Sequence, residues 1–320
     1  DTPLVGREHE TGLFNDRWAQ VRNGAGQVIL VCAEAGVGKT RLLAEFREQI
    51  GDASAYTFQA RCSTYYQDSA FYPISGLLMH LAQFQAEDSD DVKLAKMESL
   101  CQRHDVPLET VMPLIVDLVS IPLGPKYSVF EGSPERRKQK TIEAIVELLL
   151  ASSELRPLLF TVEDLHWIDP TTLEFLTVLI DQVPSARILL VATYRPDFTS
   201  PWQMHEGLTQ LMIGNLTPQQ TSEVIARTAD GHALPGAVVD HIIQKTGGVP
   251  LFTEELTKLI LEADFLQKEG DQYVLARPLD SVKIPSTLQD SLMARLDGLG
   301  PAKEVAQLAS VIGRDFNYDL

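Results

Sequence analysis

An apolar run that turns through glycines into a Lys-Thr pair leaves a chain few ways to fold, and residues 27–50 hold one. Gln27 to Cys32 reads Gln-Val-Ile-Leu-Val-Cys, apolar and β-branched, as a strand buried in a parallel sheet should be. Thr40 to Ile50 has helical spacing and stops at Gly51. Between them lies Ala33-Glu34-Ala35-Gly36-Val37-Gly38-Lys39-Thr40. A glycine-rich loop between a strand and a helix N-terminus turns several backbone N–H groups onto one point, and the helix dipole adds positive potential there. Lys39 can reach the β- and γ-phosphates of a nucleotide, and the Thr40 hydroxyl can bind Mg²⁺. Residues Ala35, Gly36, Val37, Gly38, Lys39, Thr40 and Arg41 are therefore the candidate phosphate contacts of a Walker A loop. Its first position is Ala33 rather than Gly, and Ala does not readily take φ > 0.

Strand and helix alternate on both sides of this loop. Tyr56 to Cys62, Leu158 to Glu163 and Arg187 to Thr193 read as further strands, and Asp169-Pro170 opens the helix between the last two as N-cap and first helical residue. The alternation predicts an α/β fold, a P-loop NTPase with a parallel sheet covered by helices. Residues 63–156 are expected to be mostly helical, with Glu87 to Asp91 a solvated loop or helix start and Arg136-Arg137-Lys138 early in a helix running to about Leu150. From about Asn215 the pattern becomes helical. Thr217-Pro218-Gln219-Gln220 is a capping box, and periodicity runs through Ile225, Val238 to Ile243 and Phe252 to Leu266. Gly270-Asp271 reads as the turn of a hairpin, followed by helices over Ser286 to Leu296 and Ala302 to Ile312. The expected division is a P-loop domain over 1–214, a helical lid over 215–268 and a partial winged-helix-like domain over 269–320. Both ends look cut from a longer polypeptide.

The 320 residues suit about two domains. No apolar run is long enough to span a bilayer. A net charge of −17 gives no basic footprint for a phosphate backbone, so no direct nucleic-acid contact by this segment is expected. The three cysteines Cys32, Cys62 and Cys101 have no metal spacing and suggest a reduced, cytoplasmic chain.

Glu163-Asp164 ends an apolar strand, so both carboxylates belong at the C-terminal edge of the sheet where phosphates sit in open α/β folds. One can hold Mg²⁺ and the other can orient or deprotonate the attacking water. Glu163, directly after the apolar run, takes the metal and Asp164 the water, though the roles could be exchanged. Arg195 follows the next strand. It is either a γ-phosphate sensor, since guanidinium matches phosphate oxygens, or a surface Arg before Pro196. Its position one βα unit after Asp164 favours the sensor. Trp18, Trp167, Trp202 and His166 read as packing or loop-orienting residues.

Taken together these segments resemble the STAND signalling ATPases, near the AAA+ proteins, and most the bacterial predicted ATPases fused to class III adenylate/guanylate cyclase domains. The resemblance rests on Val5-Gly6-Arg7-Glu8, residues 33–40, Arg61-Cys62 through Tyr72-Pro73, Glu163 to Asp169, Thr193-Tyr194-Arg195 and Gly248-Val249-Pro250. It implies an adenine-pocket role for Val5, Gly6 and Arg7, and an adenine-side contact from Pro250. It implies ATP and Mg²⁺ as ligands, lying between sheet edge and lid. Implied partners are other domains of the same polypeptide, possibly cyclase and helical-repeat sensor domains, and a nucleotide-dependent oligomer. No arginine finger is evident; Arg136 and Arg137 are candidates. The expected function is a slow ATPase switch in a multidomain signalling protein. The alternatives are a DNA-associated initiator-like ATPase, a small-molecule kinase and a non-hydrolysing nucleotide-binding scaffold.

Overall fold

The structure is a computed structural model that describes residues 4–51, 54–202, 207–262, 266–270, 272–276, 287–298, 300 and 302–312. It divides into two compact units. The larger holds residues 8–34 and 39–213, and the smaller holds residues up to 7, 35–38 and 214 onward.

In the larger unit, α1 (Glu8–Arg22) leads to β1 (Gln27–Cys32), α2 (Lys39–Ile50) and β2 (Tyr56–Arg61). Four helices follow: α3 (Tyr72–Leu81), α4 (Asp90–Arg103), α5 (Leu108–Ile115) and α6 (Pro134–Leu155). Then come β3 (Leu158–Glu163), α7 (Pro170–Gln182), β4 (Ile188–Tyr194) and β5 (Leu208–Met212). The strands form one parallel sheet in the order β2-β3-β4-β1-β5. Every residue of β3 and β4 is buried, which is why those strands are mostly apolar, with Thr161 inside β3 and the polar Glu163 and Thr193 at their C-terminal ends. The edge strands β2 and β5 alternate or are half-exposed.

Because all five strands run the same way, Cys32, Arg61, Glu163 and Tyr194 finish at one edge of the sheet. The register is specific there, with Arg61 opposite Glu163 and Cys32 opposite Tyr194. The faces are covered by helices. Phe160 of β3 and Phe175 of α7 pack edge to face at 6.5 Å, and Phe14 of α1 meets Phe46 of α2 at 5.1 Å. Each such ring contributes about 1.5–3 kcal/mol through burial.

The sequence predicts four strands, and β5 is a fifth. Its Leu-Thr-Gln-Leu-Met pattern buries only Leu211 fully, so it lacks the apolar signal of a central strand. Helix α6 continues to Leu155, past the expected Leu150. Asp169 caps α7 as expected, accepting from the N–H groups of Thr171 at 3.0 Å and Thr172 at 2.9 Å.

The smaller unit contains α8 (Pro218–Thr228), α9 (Gly236–Thr246) and α10 (Pro250–Glu262), joined by a core that includes Ile225, Val238, Ile242, Leu256 and Ile260. The Thr217–Gln220 capping box forms with both of its hydrogen bonds. The sequence predicts helical periodicity through Leu266, whereas α10 is described to Glu262, residues 263–265 lie outside the described residues, and Leu266 opens β6 (Leu266–Glu269), paired antiparallel with β7 (Gln272–Leu275). Asp271 of the expected turn lies outside the described residues. Helices α11 (Leu288–Gly298) and α12 (Ala302–Ile312) follow; Ser286, the expected start of α11, also lies outside them.

Candidate functional site

The glycine-rich loop leaves β1 through Ala33, whose N–H donates to the Tyr194 carbonyl at 3.2 Å and prolongs the ladder by one step. Ala33 is absent from the positive-φ residues, so the missing first glycine costs the loop no backbone strain. Gly36 (φ 78°) and Gly38 (φ 105°) do take left-handed conformations, which only glycine adopts freely.

Lys39 opens α2 and is only 9% exposed. Its Nζ donates to the carbonyls of Ala33 at 2.7 Å and Glu34 at 2.9 Å, folding the side chain back over the loop. Burial pushes its pKa below the ordinary ammonium value; Asp164 opposes that shift and Arg195 adds to it. The adjacent Thr40 hydroxyl donates to Glu163 Oε2 at 2.5 Å.

Glu163 is 1% exposed and serves as the centre of a polar cluster. Besides Thr40 it accepts from Arg61 Nη2 at 2.9 Å and from the Gln59 amide. Arg61 also reaches Asp164, its Nε lying 3.8 Å from Oδ2. Gln59 in turn accepts from Arg47 of α2. A buried carboxylate is stable only when donors replace its lost hydration, and Thr40, Arg61 and Gln59 do so here.

Asp164 lies in the left-handed region at φ 62°, a conformation short polar side chains tolerate better than most. The sharp turn separates the two carboxylates: Glu163 points into the cluster and Asp164 is 22% exposed. Its N–H donates to the Thr193 hydroxyl at 3.2 Å, fixing the turn to the end of β4. Arg195, one residue beyond β4, lays its guanidinium over the Trp167 ring at 5.2 Å. Trp167 also meets the His166 ring at 4.3 Å, and neither His166 ring nitrogen has a hydrogen-bond partner among the described residues. Burial and the Arg195 charge push the His166 pKa below the ordinary imidazole value, against the pull of Asp164.

The smaller unit contains the other expected residues. Arg7 is buried, and its Nη2 donates to the carbonyls of Gly214 at 2.8 Å and Val37 at 3.2 Å. Val5 packs with Leu216 and Val224, so its side chain is core. Gly6 (φ 65°) makes the turn between them. The Gly36 carbonyl accepts from the Leu251 N–H at 3.2 Å, one residue after Pro250 opens α10. Gly248 (φ 76°) lies against Leu216, and a Cβ there would be 2.1 Å from the Leu216 carbonyl oxygen.

Arg136 and Arg137 do not join this cluster. Arg136 is on the first turn of α6, and Arg137 pairs with Asp117 and reaches the Pro113 carbonyl at 3.4 Å. Gln59 and Arg61 were missed as site residues. Alternate residues of β2 share a face, but it is the register of β2 against β3 that puts Arg61 opposite Glu163. Cys62 is inert, its thiol pushed up to about 12 mainly by burial. Among the described residues no group of three or more His, Cys, Asp or Glu could hold a metal by itself. Thr40 and Glu163 instead offer a pair of hard oxygens beside the phosphate loop, the kind of partial set that Mg²⁺ completes with phosphate oxygens and water. No helix among the described residues is long and apolar enough to cross a membrane.

The sequence of residues 3–191 matches the family described as AAA ATPase domain, and the chain belongs to that family. It is therefore an AAA-type ATPase module, a class that binds nucleotide. It is 29% identical over 322 residues to an uncharacterized protein of Rhizobium meliloti (strain 1021), covering 99% of this chain and 30% of that protein. It is 23% identical over 267 residues to adenylate cyclase type 10 of Mus musculus, covering 80% of this chain and 16% of the cyclase. The chain thus spans less than a third of either relative. Among solved structures it is similar to a STAND protein with a tetratricopeptide repeat sensor from Pyrococcus horikoshii (TM-score 0.42, 15% identity, 82% of this chain and 31% of that one). It is also similar to a chain of Drosophila ORC bound to DNA (TM-score 0.46, 12% identity, 80% and 56%).

Proposed function

We propose that this chain is a slow, ATP-driven switch module of a larger signalling protein. The observation that carries the reading is the arrangement of Lys39, Thr40, Glu163 and Asp164 at one edge of the sheet. Lys39 is desolvated and aimed over the loop, so its charge is strong where phosphate oxygens would lie. The Thr40 hydroxyl and Glu163 carboxylate would hold Mg²⁺, which neutralises phosphate charge when bound. Asp164, turned away from that pair and partly exposed, would orient and deprotonate the attacking water. Arg195, held over Trp167, would sense the γ-phosphate.

Slow turnover follows from the same cluster. Glu163 is tied to three donors and Asp164 lies within 3.8 Å of Arg61, so both carboxylates are partly occupied before any substrate arrives. Releasing them requires a rearrangement, which suits a switch better than a rapid enzyme. We further propose that Arg7, with the loop residues it touches, shapes the adenine side of the site together with Pro250. The helices from Pro218 to Glu262 would act as a lid, and residues 269–320 as part of a winged-helix-like domain. Cyclase or repeat-sensor domains and a nucleotide-dependent oligomer are the partners this reading expects, in the cytoplasm and without direct nucleic-acid contact by this segment.

Nucleotide retained after purification and Mg²⁺-dependent turnover would be measured for the native chain, Lys39→Ala and Asp164→Ala. Lys39→Ala is expected to lose retention, and Asp164→Ala to keep it while losing slow turnover. Nucleotide retained equally by all three, without hydrolysis in any, would replace the switch with a scaffold reading.

A further inference from the structure

The AAA-type site accounts for the C-terminal edge of the sheet. The other end of β2 forms a separate pocket, and nothing in the nucleotide chemistry uses it. It has a volume of about 410 Å³ and lies between the start of β2, the end of α3 with its following loop, the end of α4 and Arg156. That volume is in the range of small-molecule sites.

Its lining has two chemical parts. Tyr56 and Phe84 supply partly exposed aromatic surface, and the Phe58 ring, only 3% exposed, backs it from the core. Two of those rings are fixed by neighbours. The Arg156 guanidinium lies over Tyr56 at 5.5 Å, and the His80 ring meets Phe58 edge-on at 5.4 Å. Arg103, His104 and Arg156 supply the polar part, and among the described residues no Asp or Glu lines the pocket. This is unusual for a chain whose net charge is −17, because a randomly chosen surface patch here would carry carboxylates. Burial and the Arg103 charge push the His104 pKa below its ordinary value, so its ring is a neutral hydrogen-bonding wall at physiological pH while the two arginines hold the charge.

We propose that this pocket binds a small organic anion with a flat ring and a carboxylate or phosphate head. The ring would pack against Tyr56 and Phe84, and the head would be clasped by the Arg103 and Arg156 guanidiniums, which match planar or tetrahedral oxyanions bidentately. Neither half of the ligand suffices, since exposed arginines bind simple anions weakly and a bare ring leaves the charge unused. Because β2 is parallel to its neighbours, the pocket is at the opposite end of the strand from Arg61 and Glu163. Its ligand therefore should not compete with nucleotide at Lys39.

The test uses the full chain, with and without saturating Mg·ADP, and three probes of one ring: 2-naphthoate, 2-naphthyl phosphate and 2-naphthylmethylamine. Binding is followed by calorimetry and by ligand-observed NMR. One or both anions should bind at a single site while the amine binds at least tenfold more weakly. The carboxylate or phosphate that wins identifies the head group. The Arg103→Glu/Arg156→Glu variant, altered only at exposed side chains, should fold by circular dichroism and bind the anion at least tenfold more weakly. Equal binding of the amine would reduce the pocket to a greasy cleft and overturn the proposal. So would binding that Mg·ADP displaces, binding unaffected by the double substitution, or no binding of either anion.

Discussion

Replacing Arg61 with Met removes the guanidinium from Glu163 while keeping much of the aliphatic stem. Glu163 is 1% exposed, so the carboxylate cannot recover the lost donor from bulk water. A hydrogen bond to a charged group is worth about 1.5–3 kcal/mol. The Arg61 side chain is 33% exposed, so solvent screens part of that term. Thr40 and Gln59 remain as donors, which keeps the loss below the ~3–5 kcal/mol of a fully orphaned buried charge. The expected destabilisation is about 1–2 kcal/mol, a fall of about 2–8 °C in the midpoint of the first thermal transition for a unit of this size. Differential scanning calorimetry of native, Arg61→Met and Arg61→Lys proteins measures it. Arg61→Lys should fall between the other two, since it keeps charge but not the fork that spans Glu163 and Asp164. If Arg61→Met melts with the native protein, the cluster is not holding Glu163 in place, and the argument for slow turnover from tied carboxylates fails with it.

Gly248→Ala should destabilise the smaller unit by more than Gly247→Ala, because both glycines have positive φ but only at Gly248 would the new Cβ strike a backbone carbonyl; urea midpoints of the two variants decide it, with about 1 kcal/mol expected at Gly247. Asp169→Ala should cost about 1 kcal/mol through loss of the α7 cap, read as a lower thermal midpoint. His166 should titrate below 6.5 by NMR, since burial and Arg195 lower its pKa. In the window between its folded value and 6.5 the unfolded chain binds more protons, so this contribution to stability is lost as pH falls through it; titration at or above 6.5 would contradict the burial argument. Lys39 follows the same sign at the other extreme: its lowered pKa makes its contribution to stability rise with pH as 10.5 is approached, and Lys39→Met should flatten that limb of the stability profile.

Four strands are plain in the sequence, and three of them are almost wholly buried. β1, β3 and β4 lie inside the sheet, so most of their residues carry the apolar signal. β5 was missed because an edge strand needs little apolar surface, and its identity comes from pairing with β1. The loop, Glu163 and Asp164 were legible because their chemistry depends on local order along the chain. Arg61 and Gln59 were not, because their role depends on the register of β2 against β3, a property of two segments separated by about a hundred residues. At Val5 the resemblance implies a ligand contact, and the structure adds what the local sequence does not tell, that its side chain fills a small core with Leu216 and Val224.

The chain passes from one compact unit to the other at Arg7/Glu8, Glu34/Ala35, Gly38/Lys39 and Ile213/Gly214. The boundary is therefore not one place in the sequence, and no single cut yields two self-sufficient fragments. A fragment starting at Gly214 would lack Arg7 and the four loop residues counted with it, and a fragment ending at Ile213 would keep Val37 and Gly36 without the Gly214 and Leu251 groups tied to Arg7 and Gly36. Recombining this module with a relative's would have to exchange the loop and the N-terminal segment together with everything after Ile213. Insertions and deletions during its divergence would be constrained in the same way, since length changes near residues 35–38 perturb both units at once.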